Sequence, residues 1–150
     1  MADLKDLYQE AVLDHYRKPR NFRRPERSNR SAEGFNPFCG DKLSVFLLVE
    51  DGIIRDIGFA GAGCALSIAS ASMMTECLKE KTEAEAKTAF DRFHRLLAGS
   101  ADALPDLECM GDLAAFSGLR EYPVRVKCAI LAWHTLLAAL EKRQDTATTE

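Results

Sequence analysis

Lys42-Leu43-Ser44-Val45-Phe46-Leu47-Leu48-Val49-Glu50-Asp51-Gly52-Ile53-Ile54-Arg55-Asp56-Ile57-Gly58-Phe59-Ala60 is the stretch that decides the fold. Leu43, Val45, Leu47 and Val49 alternate with Ser44, Phe46, Leu48 and Glu50, the period of two that a half-buried strand requires. Asp51-Gly52 supplies a two-residue hairpin turn, whose central positions favour residues tolerant of positive φ. Ile53 to Ala60 then reads as the returning strand. A hairpin alone is marginal in water, so a third strand is required, and Ser31–Phe38 is the nearby candidate.

Outward from the hairpin the period changes. Gly61-Ala62-Gly63 closes it, and Cys64 to Lys79 reads as a helix rich in Ala, Ser and Met. Thr82 with Glu85 is a capping-box pair opening a helix with Ala86, Ala89, Phe90, Phe93, Leu96 and Leu97 on one face, closed by Gly99. A loop with Pro105 leads to a short helix at Asp112–Ser117, closed by Gly118. Pro123 precedes a last helix with the stripe Val126, Ile130, Trp133, Leu137 and Leu140. Upstream, residues 4–17 carry a helical stripe capped by Asp3 and stopped by Pro19, and 18–36 is mainly a basic, polar loop. One hairpin region followed by helices predicts an α+β fold, a small antiparallel sheet of about three strands on a helix bundle. Residues 1–150 are expected to form a single domain, with 1–3 and 145–150 as flexible ends.

The net charge of −3 gives no basic footprint for nucleic acid, with Arg17 to Arg24 as a local exception. No run approaches the roughly 20 apolar residues of a membrane span, and the N-terminus lacks the apolar core of a signal peptide. The expectation is a cytoplasmic protein with no membrane association. Five cysteines, an odd and scattered number, do not form a disulfide framework, so stapling is not expected.

The chemistry concentrates in Cys39-Gly40-Asp41, Gly61-Ala62-Gly63-Cys64 and Arg125-Val126-Lys127-Cys128. Three thiolates and a carboxylate suit a tetrahedral metal, and the same cysteines would suit a sulfur-handling nucleophile. Cys39 and Asp41, two apart in an extended segment, face one side, and Gly40 permits the tight backbone between them. Cys64 and Cys128 both fall near helix starts, where the unpaired amides favour an anion, and Lys127 acts in the same direction. Cysteines are also common as small buried hydrophobes. Cys77 reads that way: it lies 13 positions beyond Cys64 on one helix, about 220° around and roughly 20 Å along. Cys109 beside Met110 is also expected to be filler. His134 lies six residues past Cys128, about 240° around the helix, and His94 sits among Phe90, Phe93 and Leu97, so neither is expected to be a ligand. His15 is expected to cap its helix or meet a partner.

Taken together these residues resemble the U-type proteins of iron–sulfur cluster assembly. The similar stretches are Asp14-His15-Tyr16-Arg17-Lys18-Pro19-Arg20-Asn21, Asn36-Pro37-Phe38-Cys39-Gly40-Asp41, Gly61 through Thr75, and Pro123 through Trp133. Lys127 stands where the IscU-like scaffold branch usually has histidine. The 64 positions between Cys64 and Cys128, filled by the capped helix, also look like the SufU branch. Phe38 departs from the family pattern, where a smaller residue is usual. The resemblance implies zinc held by Cys39, Asp41, Cys64 and Cys128, with Gly40, Gly63, Arg125 and Lys127 in support. It implies that Cys39 is released, when a partner histidine replaces it, to accept persulfide sulfur from a pyridoxal-phosphate cysteine desulfurase of SufS type. The sulfur then passes to Fe–S scaffold or recipient proteins. Arg125 and the 15–24 segment, with His15, Arg17 and Arg20, become candidates for partner contact.

Zinc has no redox activity, so it can hold thiolates reduced and still exchange a ligand. Asp41 is a harder ligand than sulfur, and the resulting asymmetry favours exchange over storage. The alternative is a non-catalytic scaffold on which iron and a transient [2Fe–2S] cluster assemble at the same four ligands. A purely structural zinc domain ranks last, because a closed site has no need of Asp41.

Overall fold

The structure is a computed structural model describing residues 4–98, 113, 115, 116, 119, 122–142 and 147–148. Its centre is the expected hairpin, β2 (Asp41–Glu50) and β3 (Ile53–Ala62). Asp51 and Gly52 between them take φ of 55° and 74°, as the tight turn demands. Leu43, Val45 and Leu47 are fully buried, so alternation does place one face in the core. On β3 the buried residues are Ile54, Ile57, Gly58 and Phe59, which breaks strict alternation. Leu48 pairs with Asp56 and Val49 with Ile54, leaving Arg55 as an extra residue, and this bulge restores Ile57 and Phe59 to the inner face.

The third strand is β1 (Arg30–Asn36), antiparallel to β2 with Asn36 opposite Asp41. It takes the last part of the expected 18–36 loop and ends two residues before the expected Phe38. Asn29 closes its start by exchanging side-chain hydrogen bonds with Val49 N–H and C=O, at 2.9 and 2.7 Å. The sheet order is β3-β2-β1-β4, where β4 (Ala147–Thr148) lies parallel to β1. That pairing engages β1 backbone groups that would otherwise stand unpaired at the sheet edge.

Four helices complete the α+β fold among the described residues: α1 (Leu4–Arg17), α2 (Ala65–Leu78), α3 (Glu83–Ala98) and α4 (Pro123–Leu140). The α4 helix packs on β1 and β2, α2 packs on α4, and α1 lies on α2. By length and composition α4 could cross a membrane, against the expectation from the sequence, yet most of it is buried inside the protein. Thr82 and Glu85 form the expected reciprocal box at the start of α3, at 3.1 and 3.0 Å. Ala86, Ala89, Phe93, Leu96 and Leu97 are the buried face of that helix. Of the short element expected at 112–117, Leu113 and Phe116 are buried, and Phe116 meets Phe93 edge to face. Ala115 is half-buried, while 112, 114 and 117 of that element, and Cys109, lie outside the described residues.

From Ser67 to Thr75 α2 is buried on every side, hydroxyls included. Each hydroxyl has a partner: Ser67 at Asp41, Ser70 at the Ala129 carbonyl and Trp133 Nε1, Ser72 at His15, Thr75 at Asn21. That satisfies the rule for polar groups in a core. Cys77, buried as expected, is disulfide-bonded, which corrects the reading of it as a simple filler thiol. Spatial placement in the core, invisible to a count of cysteines, decides such pairing. Cys39, Cys64 and Cys128 are all free.

Candidate metal centre

The β1–β2 connection is a four-residue turn, and its Gly40 has φ of 75°, a conformation that strains any residue with a Cβ. Gly40 N–H donates to the Asn36 carbonyl at 2.8 Å, closing the turn. The turn leaves Cys39 exposed and delivers Asp41, 2% exposed, to the first position of β2. From the other side α4 brings in Cys128, also 2% exposed. The candidate ligand atoms of Cys39, Asp41 and Cys128 all lie within 4.8 Å of one another, and the two sulfurs are 3.1 Å apart.

Cys64, the fourth expected ligand, is exposed and is the N-cap residue of α2. Its Sγ lies 3.9 Å from Asp41 Oδ2, while its backbone N–H donates to Asp41 Oδ1 at 2.9 Å. It therefore adjoins the trio through Asp41 and stands outside the tightest group. Gly63 makes this approach possible, since a Cβ there would sit 3.0 Å from Asp41 Oδ1 and 3.1 Å from Ser67 Cβ.

Both Asp41 oxygens are engaged. Ser67 Oγ donates to Oδ2 at 2.6 Å and also lies 3.2 Å from the Cys128 carbonyl oxygen. A carboxylate held by two donors is oriented before any metal arrives. Ser67 was not among the residues singled out in the sequence. Its position three after the N-cap, on the face that Cys64 starts, is the signal that could have found it.

Cys128 differs from expectation in one respect. It is the sixth residue of α4, in the second turn, where the dipole effect of the helix start has faded. Burial pushes its thiol far up, and the neighbouring Cys39, Cys64 and Asp41 push the same way. A cation at this point would offset the burial and the neighbouring groups that oppose a thiolate at Cys128. Two buried donors and an exposed one, with sulfur in the majority, fit a thiolate-binding divalent ion.

Of the supporting residues, Lys127 is half-buried with its ammonium 4.0 Å from the Phe38 ring centre, and Arg125 is exposed. His15 is 5% exposed: Nδ1 lies 2.7 Å from Ser72 Oγ and Nε2 3.8 Å from Glu76. It fills the seam between α1 and α2, which removes it from the list of surface contacts. Arg20 pairs with Asp14 at 2.5 Å and Glu76 at 3.4 Å, while Arg17 remains exposed. Burial and ion pairing thus leave Arg17 and Arg125 as the available basic positions of that set.

A profile of the NifU-like N-terminal domain matches residues 7–129. The chain belongs to this family. Within it, the zinc-dependent sulfurtransferase SufU of Bacillus subtilis is 34% identical over 143 residues, 95% of each chain. The iron–sulfur cluster assembly scaffold protein IscU of Thermotoga maritima is 37% identical over 139 residues, 92% of this chain and 95% of the relative. A crystal structure from Fervidobacterium islandicum, of a protein provisionally described as a SUF-system scaffold, superposes with a TM-score of 0.80 at 31% identity. It covers 92% of this chain and 99% of that one. The SufU-type, IscU- and NifU-like character expected from the motifs therefore holds, as does the α+β fold.

Proposed function

We propose that this chain is a zinc-bound sulfur acceptor in iron–sulfur cluster assembly, acting in the cytoplasm as one domain. The observation that carries the reading is the asymmetry of the ligand set: Cys39 is exposed on a turn, while Asp41 and Cys128 are buried. Sulfur arriving from another protein needs an outward thiol. Cys64 is exposed as well, but its backbone is pinned to Asp41. Cys39, Asp41, Cys64 and Cys128 would hold the ion. Zinc supplies a positive charge without redox chemistry, keeping the thiolates deprotonated and reduced.

The transfer step balances without an oxidant. Cys39 thiolate attacks the outer sulfur of the donor persulfide; a Cys39 S–S bond forms, the donor S–S bond breaks, and the donor cysteine leaves as thiolate. A pyridoxal-phosphate cysteine desulfurase of SufS type is the proposed donor, with Fe–S scaffold or recipient proteins next in line. Arg17 and Arg125 are exposed for such contacts. The identity with IscU scaffolds supports a second reading, assembly of a transient [2Fe–2S] cluster at the same residues.

Protein purified in air should be colourless with one zinc per chain, stimulate the desulfurase, and gain one sulfur atom on Cys39. Brown, iron-loaded protein that leaves the desulfurase unaffected would favour the scaffold. Full stimulation by Cys39→Ala would remove Cys39 from the acceptor role.

A further inference from the structure

Asn36 is fully buried and uses three of its groups at the metal centre. Its carbonyl oxygen accepts Gly40 N–H at 2.8 Å, its Oδ1 accepts Phe38 N–H at 3.1 Å, and its Nδ2 lies 3.4 Å from Cys128 Sγ. The amide orientation is fixed by chemistry: the Phe38 N–H can only donate, so the oxygen end faces it and the NH2 end faces sulfur. One side chain therefore braces the turn bearing Cys39 and contacts the sulfur of the opposing helix.

The three sulfurs are not treated alike. Cys128 meets an N–H donor, whereas the Ser67 hydroxyl 3.7 Å from Cys64 Sγ has its proton engaged at Asp41 Oδ2. Among the described residues Cys39 Sγ has no donor except the Cys128 thiol itself. A hydrogen bond to a thiolate draws off electron density, stabilising it as a ligand and lowering its nucleophilicity.

We infer that Asn36 is the positioning residue that separates the roles of the cysteines, fixing Cys128 as the retained ligand and leaving Cys39 as the reactive one. The inference deepens the proposed function and rests on its metal site, but it concerns sulfur reactivity alone. Asn36→Leu keeps the volume and removes both polar arms. Asn36→Asp keeps an oxygen for Phe38 N–H and removes the donor to sulfur.

Zinc-loaded parent and variants are alkylated, and Cys39 and Cys128 are followed by peptide mass spectrometry. Both variants should lower the Cys39-to-Cys128 rate ratio by about 3- to 10-fold, the worth of one hydrogen bond. Zinc affinity from chelator competition should fall about 10- to 100-fold. In metal-free protein, Asn36→Asp should retain hydrogen-exchange protection at Phe38 N–H, while Asn36→Leu loses it. An unchanged ratio overturns the assignment, and so does equal acceleration of both cysteines, which marks general loosening. A measurement on the unaltered chain stands beside the variants and covers a failure of either to fold. In cadmium-113-substituted protein the Asn36 side-chain protons should show scalar coupling to the metal through Cys128 Sγ, and absence of coupling overturns the assignment. No desulfurase enters these experiments, so failed sulfur transfer would sink the function and leave Asn36 standing, and the reverse.

Discussion

The Lys127 ammonium stands 4.0 Å from the centre of the Phe38 ring, joining the residue before Cys128 to the residue before Cys39. Two segments that bear candidate ligands and lie far apart in sequence are thus tied by a cation–π contact at the surface. Phe38 remains 58% exposed, so the contact is a light fastening. At exposed sites such contacts are worth about 0.5–1 kcal/mol.

Removing that contact should free the turn. Phe38→Ala or Lys127→Gln is expected to speed alkylation of Cys39 about 2- to 5-fold, with Lys127→Arg close to the parent. Peptide-mapped alkylation of metal-free protein reads this directly. Identical rates in all four proteins would show that the contact does not restrain the turn.

Ser67→Ala takes away the hydroxyl that Asp41 Oδ2 accepts at 2.6 Å. The carboxylate keeps the Cys64 N–H at 2.9 Å and the more distant Cys64 Sγ at 3.9 Å. Zinc affinity should drop about 10-fold, the low end for residues that orient a ligand. Competition with a chromogenic chelator gives the number, and parent-like affinity would place Ser67 outside the site.

Asp41→Ala has two effects. The site keeps its three sulfurs, so release of Cys39 and transfer of metal to a chelator should slow. Cys64 N–H meanwhile loses its acceptor, at about 1–3 kcal/mol for an unsatisfied group, and Ser67 falls back on the Cys128 carbonyl oxygen at 3.2 Å. The Tm should fall about 4–8 °C for a loss of about 2 kcal/mol. Faster metal release would argue against Asp41 as the ligand that favours exchange.

Acid should loosen the basic segment first. Burial works against the charged form of Asp56, but hydrogen bonds from Arg23 and Ile57 N–H outweigh it and hold its pKa below 3.8. The Arg20 hydrogen bond to Asp14 lowers that carboxyl too. Folded values below unfolded ones mean stability that is present above about pH 4 and lost as pH falls through the folded values. Phe59 N–H, bonded to the Asn21 carbonyl at 3.0 Å, reports the attachment. Its exchange protection, corrected for intrinsic rate, should weaken below about pH 4. Arg23→Ala should reproduce part of the loss at pH 7; full protection in both cases would refute the coupling.

Much of this architecture was legible because it rests on local chemistry. The hairpin turn, the Thr82–Glu85 box and the buried faces of β2 and α3 follow from residue type and period. The bulge at Arg55 escaped notice because pairing across strands is not written in either strand alone. Two residues at Ala147 carry no strand signal, and their pairing depends on an open edge far away in sequence. The candidate ligands were readable by type, yet their convergence needed the family likeness. Asn36 stood out only as part of the Asn36–Asp41 motif, since its contact with Cys128 spans 92 positions.

The hydroxyls of α2 carry one last consequence. Ser67, Ser70, Ser72 and Thr75 meet Asp41, Trp133, His15 and Asn21 from a single rod. Slipping that rod by one residue would turn every hydroxyl about 100° and break all four contacts together. The candidate metal centre and the seat of the N-terminal helix therefore share one register, so a change that shifts α2 along its axis disturbs both at once.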